Sequence, residues 1–171
     1  MRRGNSCDVL IHCAGISTDV LFGAVMAVEN KMVTATLWQV PNQPIVFAQD
    51  PTKKERSEDA AVAFTWLEFM FHKDRDDFVL FFPMVKSVHS ALTAIQQYTQ
   101  QTHEIDLQKF VVAGASKRGW TTWLEGATDD RVIAIVPIVM DMLYVRALLR
   151  PLLRCSHVWP QQLPKECCAH A

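Results

Sequence analysis

Apolar positions along this chain follow two alternating patterns. Continuous apolar runs at residues 9–13, 32–40, 110–114 and 132–139 predict strands that are buried on both faces. Between these runs, apolar residues recur every three or four positions, which predicts helices around residues 21–28, 60–71, 84–98 and 120–127. This alternation is typical of an α/β fold, in which helices flank a parallel sheet of about four strands in three layers.

Capping residues and a proline help to define where several of these predicted elements begin. Ser57, followed by Glu58 and Asp59, supplies a capping residue and first-turn acids for the second helix. Residues 78–82 are interpreted as a short extended piece, and Pro83 suits the first position of the third helix. The inward face of the last helix is predicted from its apolar residues, which are Trp120, Trp123, Leu124 and Ala127.

The run Gly114-Ala115-Ser116-Lys117-Arg118-Gly119 lies between a predicted strand and a predicted helix, with a serine at the turn. Small residues around a serine allow the strained turn known as a nucleophile elbow, whose usual pattern is G-x-S-x-G. Here Arg118 stands at the second glycine position, and the glycine follows one residue later as Gly119. Such an arginine is expected to point outward. The alternative is that Ser116 only caps the helix.

Sites in open parallel sheets gather beyond the carboxyl ends of the strands, and several candidate residues fall there. Ser116 is the candidate nucleophile, and the backbone N–H of Lys117 is a candidate oxyanion donor. The backbone N–H of Ile16, after the first strand, is a second candidate donor. Asp141, after the last strand, is a candidate acid, with capping of a following helix as the alternative.

The general base of such a site is not identified by the sequence. In hydrolases of this type the histidine follows the serine and the acid, and His157 and His170 are the only histidines after Ser116. Both lie in the terminal segment. Lys117 is a poor base because neighbouring residues at a sharp turn point apart. Together with Arg118 at a helix N-terminus it suggests attraction for an anionic group, and a solvated pair that faces the surface is the more common alternative.

Composition narrows the classes of partner. The chain has 171 residues, 50% of them hydrophobic, with 17 basic and 18 acidic side chains and a net charge of −1. This near-neutral balance argues against a nucleic acid or an anionic membrane, and no apolar run is long enough to span a bilayer. Expected partners are a small-molecule or peptide substrate, or another protein. The first residues show no export signal, so the compartment stays open.

The five cysteines do not predict a disulfide framework, because their number is odd and three of them lie in the terminal segment. Cys155 and His157, or Cys167, Cys168 and His170, do not match the usual spacing of zinc ligands. Free thiols are the favoured interpretation, and the sequence predicts no metal and no cofactor.

Five blocks carry a family resemblance: residues 38–44, 58–66, 82–86, 112–124 and 130–139. The longest reads Val112-Ala113-Gly114-Ala115-Ser116-Lys117-Arg118-Gly119-Trp120-Thr121-Thr122-Trp123-Leu124. In this order they closely resemble the PhoPQ-activated pathogenicity-related proteins. That resemblance implies an α/β-hydrolase-like core, often in secreted proteins, with activity poorly defined for most members.

The resemblance also implies how the chain is organised. It covers residues 7–143, a partial hydrolase-like domain, and leaves residues 144–171 as a divergent and poorly ordered segment. By analogy with the hydrolase sheet, the four strands would lie in the order second, first, third, fourth, with both edges unpaired. Two functions remain open: a serine hydrolase acting on ester or peptide bonds, impaired here by missing loops, or a non-catalytic secreted or signalling protein that binds through this scaffold.

Overall fold

Three of the predicted strands pair side by side in a parallel sheet. The computed structural model describes residues 10–11, 18–72 and 76–140, all within the first of two compact units, Met1–Met140 and Asp141–Ala171. Strands β1 (Leu10–Ile11), β4 (Phe110–Ala115) and β5 (Val132–Ile138) lie in the order β1-β4-β5. The order first, third, fourth therefore agrees with the expectation for those three runs.

Four helices and a short hairpin make up most of the remaining described chain. The helices are α1 (Thr18–Asn30), α2 (Glu58–Phe71), α3 (Phe81–His103) and α4 (Lys117–Thr128). The antiparallel hairpin pairs β2 (Ile45–Val46) with β3 (Glu55–Arg56), and a 3₁₀ turn spans Asp76–Phe78. The protein is thus of the mixed α/β class.

The second predicted strand does not join the sheet among the described residues. Residues 32–40 form no strand among the described residues: within them Ala35 makes an isolated bridge, and Gln39 has a positive φ of 58°. Thr34 instead donates a hydrogen bond from its hydroxyl to the carbonyl of Gly23 in α1, at 3.1 Å. β-branched composition favours extended backbone without choosing its partner. The described chain therefore holds a three-stranded parallel sheet, and a four-stranded hydrolase core is not confirmed.

The extended piece predicted at residues 78–82 is also wrong. Phe78 closes a 3₁₀ turn, and α3 begins at Phe81, two residues before Pro83. A short apolar run does not distinguish a strand from the start of a buried helix. Phe81 and Met84, three positions apart, are both buried, which is the spacing of a helix face.

Two groups of buried apolar side chains hold these elements together. The first, between α3 and the central strand, contains Val88, Leu92, Leu107, Phe110 and Val112. The second surrounds the start of α3 and contains Val40, Phe47, Ala61, Val79, Leu80, Phe81 and Met84. Trp120 of α4 joins this second group, with its ring 4.4 Å from that of Phe81 and 6.0 Å from that of Trp66. α4 is thereby anchored close to its first turn.

The inward face of α4 follows its apolar pattern only in part: Trp120 and Leu124 pack against the second core group, whereas Ala127 is exposed. Trp123 is 42% exposed, whereas Thr121, Thr122 and Glu125 are buried. The two threonine hydroxyls donate to carbonyls of their own helix, at 3.2 and 2.8 Å, so their burial leaves no unsatisfied group. A small-residue face lets α4 lie close to the sheet, which a face of tryptophans would prevent.

Strand β5 is only partly covered by the described residues, and none of its own residues is fully buried. Ile135 faces α4, and a Cβ placed on Gly126 would lie 2.6 Å from its Cγ2 atom. Val136 points to the opposite face and is 44% exposed. The expectation that this strand is buried on both faces therefore does not hold among the residues described.

Candidate functional site

Ser116 occupies a sharp turn between β4 and α4. The strand ends at Ala115 and the helix begins at Lys117, so the turn consists of this serine alone. Its backbone has φ 56° and ψ −124°, a conformation that non-glycine residues adopt at a cost of about 1–3 kcal/mol. Its N–H donates to the carbonyl of Ile138 in β5 at 2.9 Å, which ties the turn to the neighbouring strand.

The side chain of Ser116 is not used to cap the helix. Its hydroxyl makes no capping hydrogen bond, although the residue stands at the N-cap position of α4. Its carbonyl accepts the N–H of Trp120 at 3.2 Å, so its backbone begins the helix. The structure therefore shows a sharp turn at Ser116 without capping by its side chain.

Gly114 and Gly119 allow the strand and the helix to approach each other. A Cβ at Gly114 would lie 2.6 Å from the carbonyl oxygen of Arg118 and 2.8 Å from the hydroxyl of Thr122. A Cβ at Gly119 would lie 2.9 Å from the Cβ of Met140. Neither glycine has a positive φ, so both are required by close packing. The displaced glycine of the motif thus still permits the close packing around this turn.

Lys117 and Arg118 do not face solvent as the sequence suggested. Lys117 is only 7% exposed, and its ammonium forms ion pairs with the carboxylates of Glu58 and Asp59, the latter at 3.1 Å. The guanidinium of Arg118 lies 3.1 Å from the same Glu58 carboxylate. Because these two cations follow the serine directly, Glu58 at the start of α2 fixes the position of the turn.

Glu58 is also bonded to the loop that precedes the hairpin. Its backbone N–H donates to the side-chain oxygen of Gln43 at 2.8 Å, and the amide of Gln43 donates back to its carboxylate. Burial raises the pKa of the Glu58 carboxyl, but hydrogen bonds from its three donors outweigh this effect and lower the pKa to about 2. Sequence reasoning treated Glu58 only as a first-turn acid and missed this role. The adjacent cations at 117 and 118 were the available signal.

A first prediction concerns the pH dependence of this contact. The folded-state pKa of Glu58 lies below its ordinary value of 4.5. The charged carboxylate therefore makes its full contribution to the free energy of unfolding above pH 4.5, and this contribution is lost as the pH falls towards 2. Glu58→Gln should therefore lower the free energy of unfolding at pH 6 more than at pH 3. The expected difference is about 1 kcal/mol, because the side chain is 45% exposed and solvent screens the charge.

Urea unfolding at the two pH values measures this difference. The control is Glu29→Gln, which changes an exposed glutamate near the end of α1. If Glu58→Gln lowered the free energy of unfolding equally at pH 3 and pH 6, the proposed charge pairing would be contradicted.

The other predicted members of the site lie outside the described residues. Ile16, Asp141, His157 and His170 all belong to that part, so their roles stay predictions. Lys117 supplies the first backbone N–H of α4, as expected. Of the histidines that the structure describes, none hydrogen-bonds Ser116: His72 and His103 lie at the ends of α2 and α3, and His89 pairs elsewhere.

A second group of titratable side chains lies where the end of α4 meets α3. Asp129 is held by Arg131, with Nε donating to Oδ1 at 2.9 Å and Nη2 donating to Oδ2 at 2.6 Å. His89 places Nδ1 at 3.0 Å from Oδ2 of Asp129 and 3.7 Å from Oε1 of Glu125. Burial raises the pKa of Glu125 to about 7, and the charge of Asp129 adds to this increase. The hydrogen bond from Arg131 lowers the pKa of Asp129 to about 2.

The fold and the turn define a class of protein: a mixed α/β protein in which the middle strand of a parallel sheet leads through a strained serine into a helix. Among the helices described, none is long and apolar enough to cross a membrane. Residues 12–165 match the PhoPQ-activated pathogenicity-related protein family, and the chain belongs to that family. The match extends beyond Leu143, where the resemblance was expected to end. The domain boundary expected there stays a prediction.

One relative is similar over most of this chain. Autocrine proliferation repressor protein A of Dictyostelium discoideum is 43% identical over 119 residues, which make up 70% of this chain and 24% of that protein. The chain thus spans about a quarter of this relative's length. No solved structure gives a significant match.

Proposed function

We propose that this chain carries the nucleophile of a serine hydrolase that acts on ester or peptide bonds. The observation that supports the proposal most strongly is the backbone of Ser116, with φ 56° and ψ −124° between a parallel strand and a helix. Such a turn presents the hydroxyl beyond the carboxyl end of the strand and places a helix N-terminus behind it. The side chain is free of the capping role that would otherwise explain a serine there.

Each group of the candidate site has a role in the proposed hydrolysis. The Ser116 oxygen attacks the carbonyl carbon of the substrate while its proton passes to a base, and the leaving group departs with a proton to give an acyl-enzyme. Water then hydrolyses the acyl-enzyme and restores the serine. The N–H of Lys117, with that of Ile16, would stabilise the oxyanion, and Asp141 would orient the base. The base itself is not assigned, and the substrate is proposed to be a small molecule or a peptide.

A fluorophosphonate probe tests this proposal directly, because it labels only activated serines. We expect the 171-residue chain to be labelled and Ser116→Ala to lose the label completely. Ser90→Ala, which changes an exposed serine of α3, serves as the control and should label like the unmodified chain. Circular dichroism establishes that each protein is folded.

The alternative is a non-catalytic secreted or signalling protein that binds a protein partner through this scaffold. The observation that favours it is the name of the similar Dictyostelium protein, a proliferation repressor. The same experiment separates the two functions. A folded chain that takes up no label, or one that labels equally after Ser116→Ala, would refute the hydrolase and favour the binding role.

A further inference from the structure

Three side chains meet at the end of α4 opposite to Ser116, and their donor atoms all lie within 4.8 Å of one another. They are Nδ1 of His89, from α3, and one carboxylate oxygen each of Glu125 and Asp129. Glu125 and Asp129 are four positions apart, so a helical turn places them on the same face. We propose that His89, Glu125 and Asp129 bind a divalent cation of borderline softness, with Zn²⁺ as the representative ion.

The state of Glu125 points to a missing ligand. Its side chain is fully buried, and neither carboxylate oxygen has a hydrogen-bond partner in the structure. A buried carboxylate without partners is costly, and native proteins keep such a group protonated, pair it with a cation or coordinate a metal through it. Oε1 lies 3.7 Å from the imidazole nitrogen, too far for a hydrogen bond. Both groups are instead placed to share a cation between them.

The spacing of the donor atoms suits a metal ion. In a tetrahedral zinc site, bonds of about 2.1 Å place the ligand atoms roughly 3.4 Å apart. The nitrogen of His89 is 3.0 Å from the Asp129 oxygen and 3.7 Å from the Glu125 oxygen, which brackets that value, whereas the set as a whole extends to 4.8 Å and has to contract around the ion. Small side-chain rotations would complete the geometry.

The donor types favour zinc over magnesium or calcium. Magnesium and calcium prefer sites made of oxygen atoms only, whereas one imidazole with two carboxylates suits zinc and its neighbours among the transition metals. The His89 side chain is 55% exposed, so the ion has an entry path from solvent. Three protein ligands would leave the fourth position open to water.

Arg131 plays a supporting role in this arrangement. It fixes Asp129 through both carboxylate oxygens, and its Nη1 donates to Thr93 at 3.1 Å and to Gln96 at 2.6 Å on α3. Such outer contacts orient a ligand before the metal arrives. They also keep α3 and α4 in the register that brings His89 to the two carboxylates.

Calorimetric titration of the chelator-stripped chain with Zn²⁺ tests the proposal. We expect one binding event that both His89→Ala and Glu125→Gln weaken at least about tenfold, a loss typical of disturbed metal sites. His72→Ala, which removes another exposed histidine at the end of α2, should bind like the unmodified chain. His89→Ala changes a side chain that is more than half exposed, so it should fold even if Glu125→Gln does not.

A second readout separates this site from the thiols, because the chain contains five cysteines. Co²⁺ bound to nitrogen and oxygen atoms lacks the intense thiolate charge-transfer absorption that cysteine ligands produce. We expect a Co²⁺ spectrum without that band, and loss of the spectrum in His89→Ala. Unchanged affinity in both variants, a thiolate spectrum, or no saturable binding to the folded chain would each overturn the proposal.

Discussion

Arg131→Met is expected to destabilise the protein by about 4 kcal/mol. Removing one partner of a buried ion pair leaves the other charge uncompensated, which typically costs about 3–5 kcal/mol. Here the group left behind is Asp129, whose side chain is only 4% exposed and whose neighbour Glu125 is also a buried acid. The substitution would also remove the contacts of Arg131 to Thr93, Gln96 and the carbonyl of His89.

A double variant distinguishes loss of charge pairing from loss of packing. Asp129→Asn removes the charge that Arg131 compensates, so Asp129→Asn combined with Arg131→Met should be more stable than Arg131→Met alone. Urea unfolding at neutral pH supplies the four free energies of this cycle. A cost below about 1 kcal/mol for Arg131→Met, or no rescue in the double variant, would show that the pair is not a major support of the fold.

Gly114→Ala is the second change with a large expected effect, a loss of about 3 kcal/mol. The added methyl group would lie 2.6 Å from the carbonyl oxygen of Arg118, which belongs to the backbone of α4 and cannot rotate away. The helix must therefore move off the strand, and overpacking of this kind typically costs about 1–3 kcal/mol, and more where backbone is involved. The same movement would disturb Ser116, so fluorophosphonate labelling should fall together with stability.

The chain offers a matched control for this substitution. Gly23 lies within α1, and a Cβ there would meet its nearest atom, the hydroxyl oxygen of Thr34, at an ordinary 3.6 Å. Because alanine is the better helix former, Gly23→Ala should leave stability unchanged or raise it by up to about 1 kcal/mol. Thermal unfolding of both variants makes the comparison. Equal changes in unfolding temperature for Gly114→Ala and Gly23→Ala would contradict the close strand-to-helix packing described at Gly114.

The sequence predicted the helices better than the strands, for a physical reason. Periodic apolar positions over a dozen residues identify a helix from its own residues, and α1, α2 and α4 lie where that pattern placed them. A strand is defined by its partner, so the apolar run at residues 32–40 could not show that pairing there is limited to the bridge at Ala35 among the described residues. Of the predicted inward face of α4, Trp120 and Leu124 do pack against the core. Thr121 and Thr122 were missed because their hydroxyls are satisfied by carbonyls of their own helix.

Within the candidate site, contacts between residues adjacent in the chain could be predicted from the sequence, whereas contacts between residues far apart in the chain could not. The turn at Ser116 could be predicted because the strand, the small residues and the helix are adjacent in the chain. The pairing of Glu58 with Lys117 spans 59 positions, and no local pattern encodes it. The meeting of His89 with Glu125 and Asp129 depends in the same way on how α3 packs against α4. Charged residues beside a tight turn are therefore worth examining for a distant partner.

The backbone of Ser116 carries one more implication, about selection. Glycine adopts a positive φ freely, and this chain places glycines two positions before and three positions after the serine, where tight contacts demand them. If stability alone decided the residue at position 116, glycine would be expected there, and the free energy of unfolding would be higher by roughly 1 kcal/mol. This cost is the one expected if the Ser116 hydroxyl has the proposed catalytic role, and Ser116→Gly should therefore raise the free energy of unfolding while abolishing fluorophosphonate labelling.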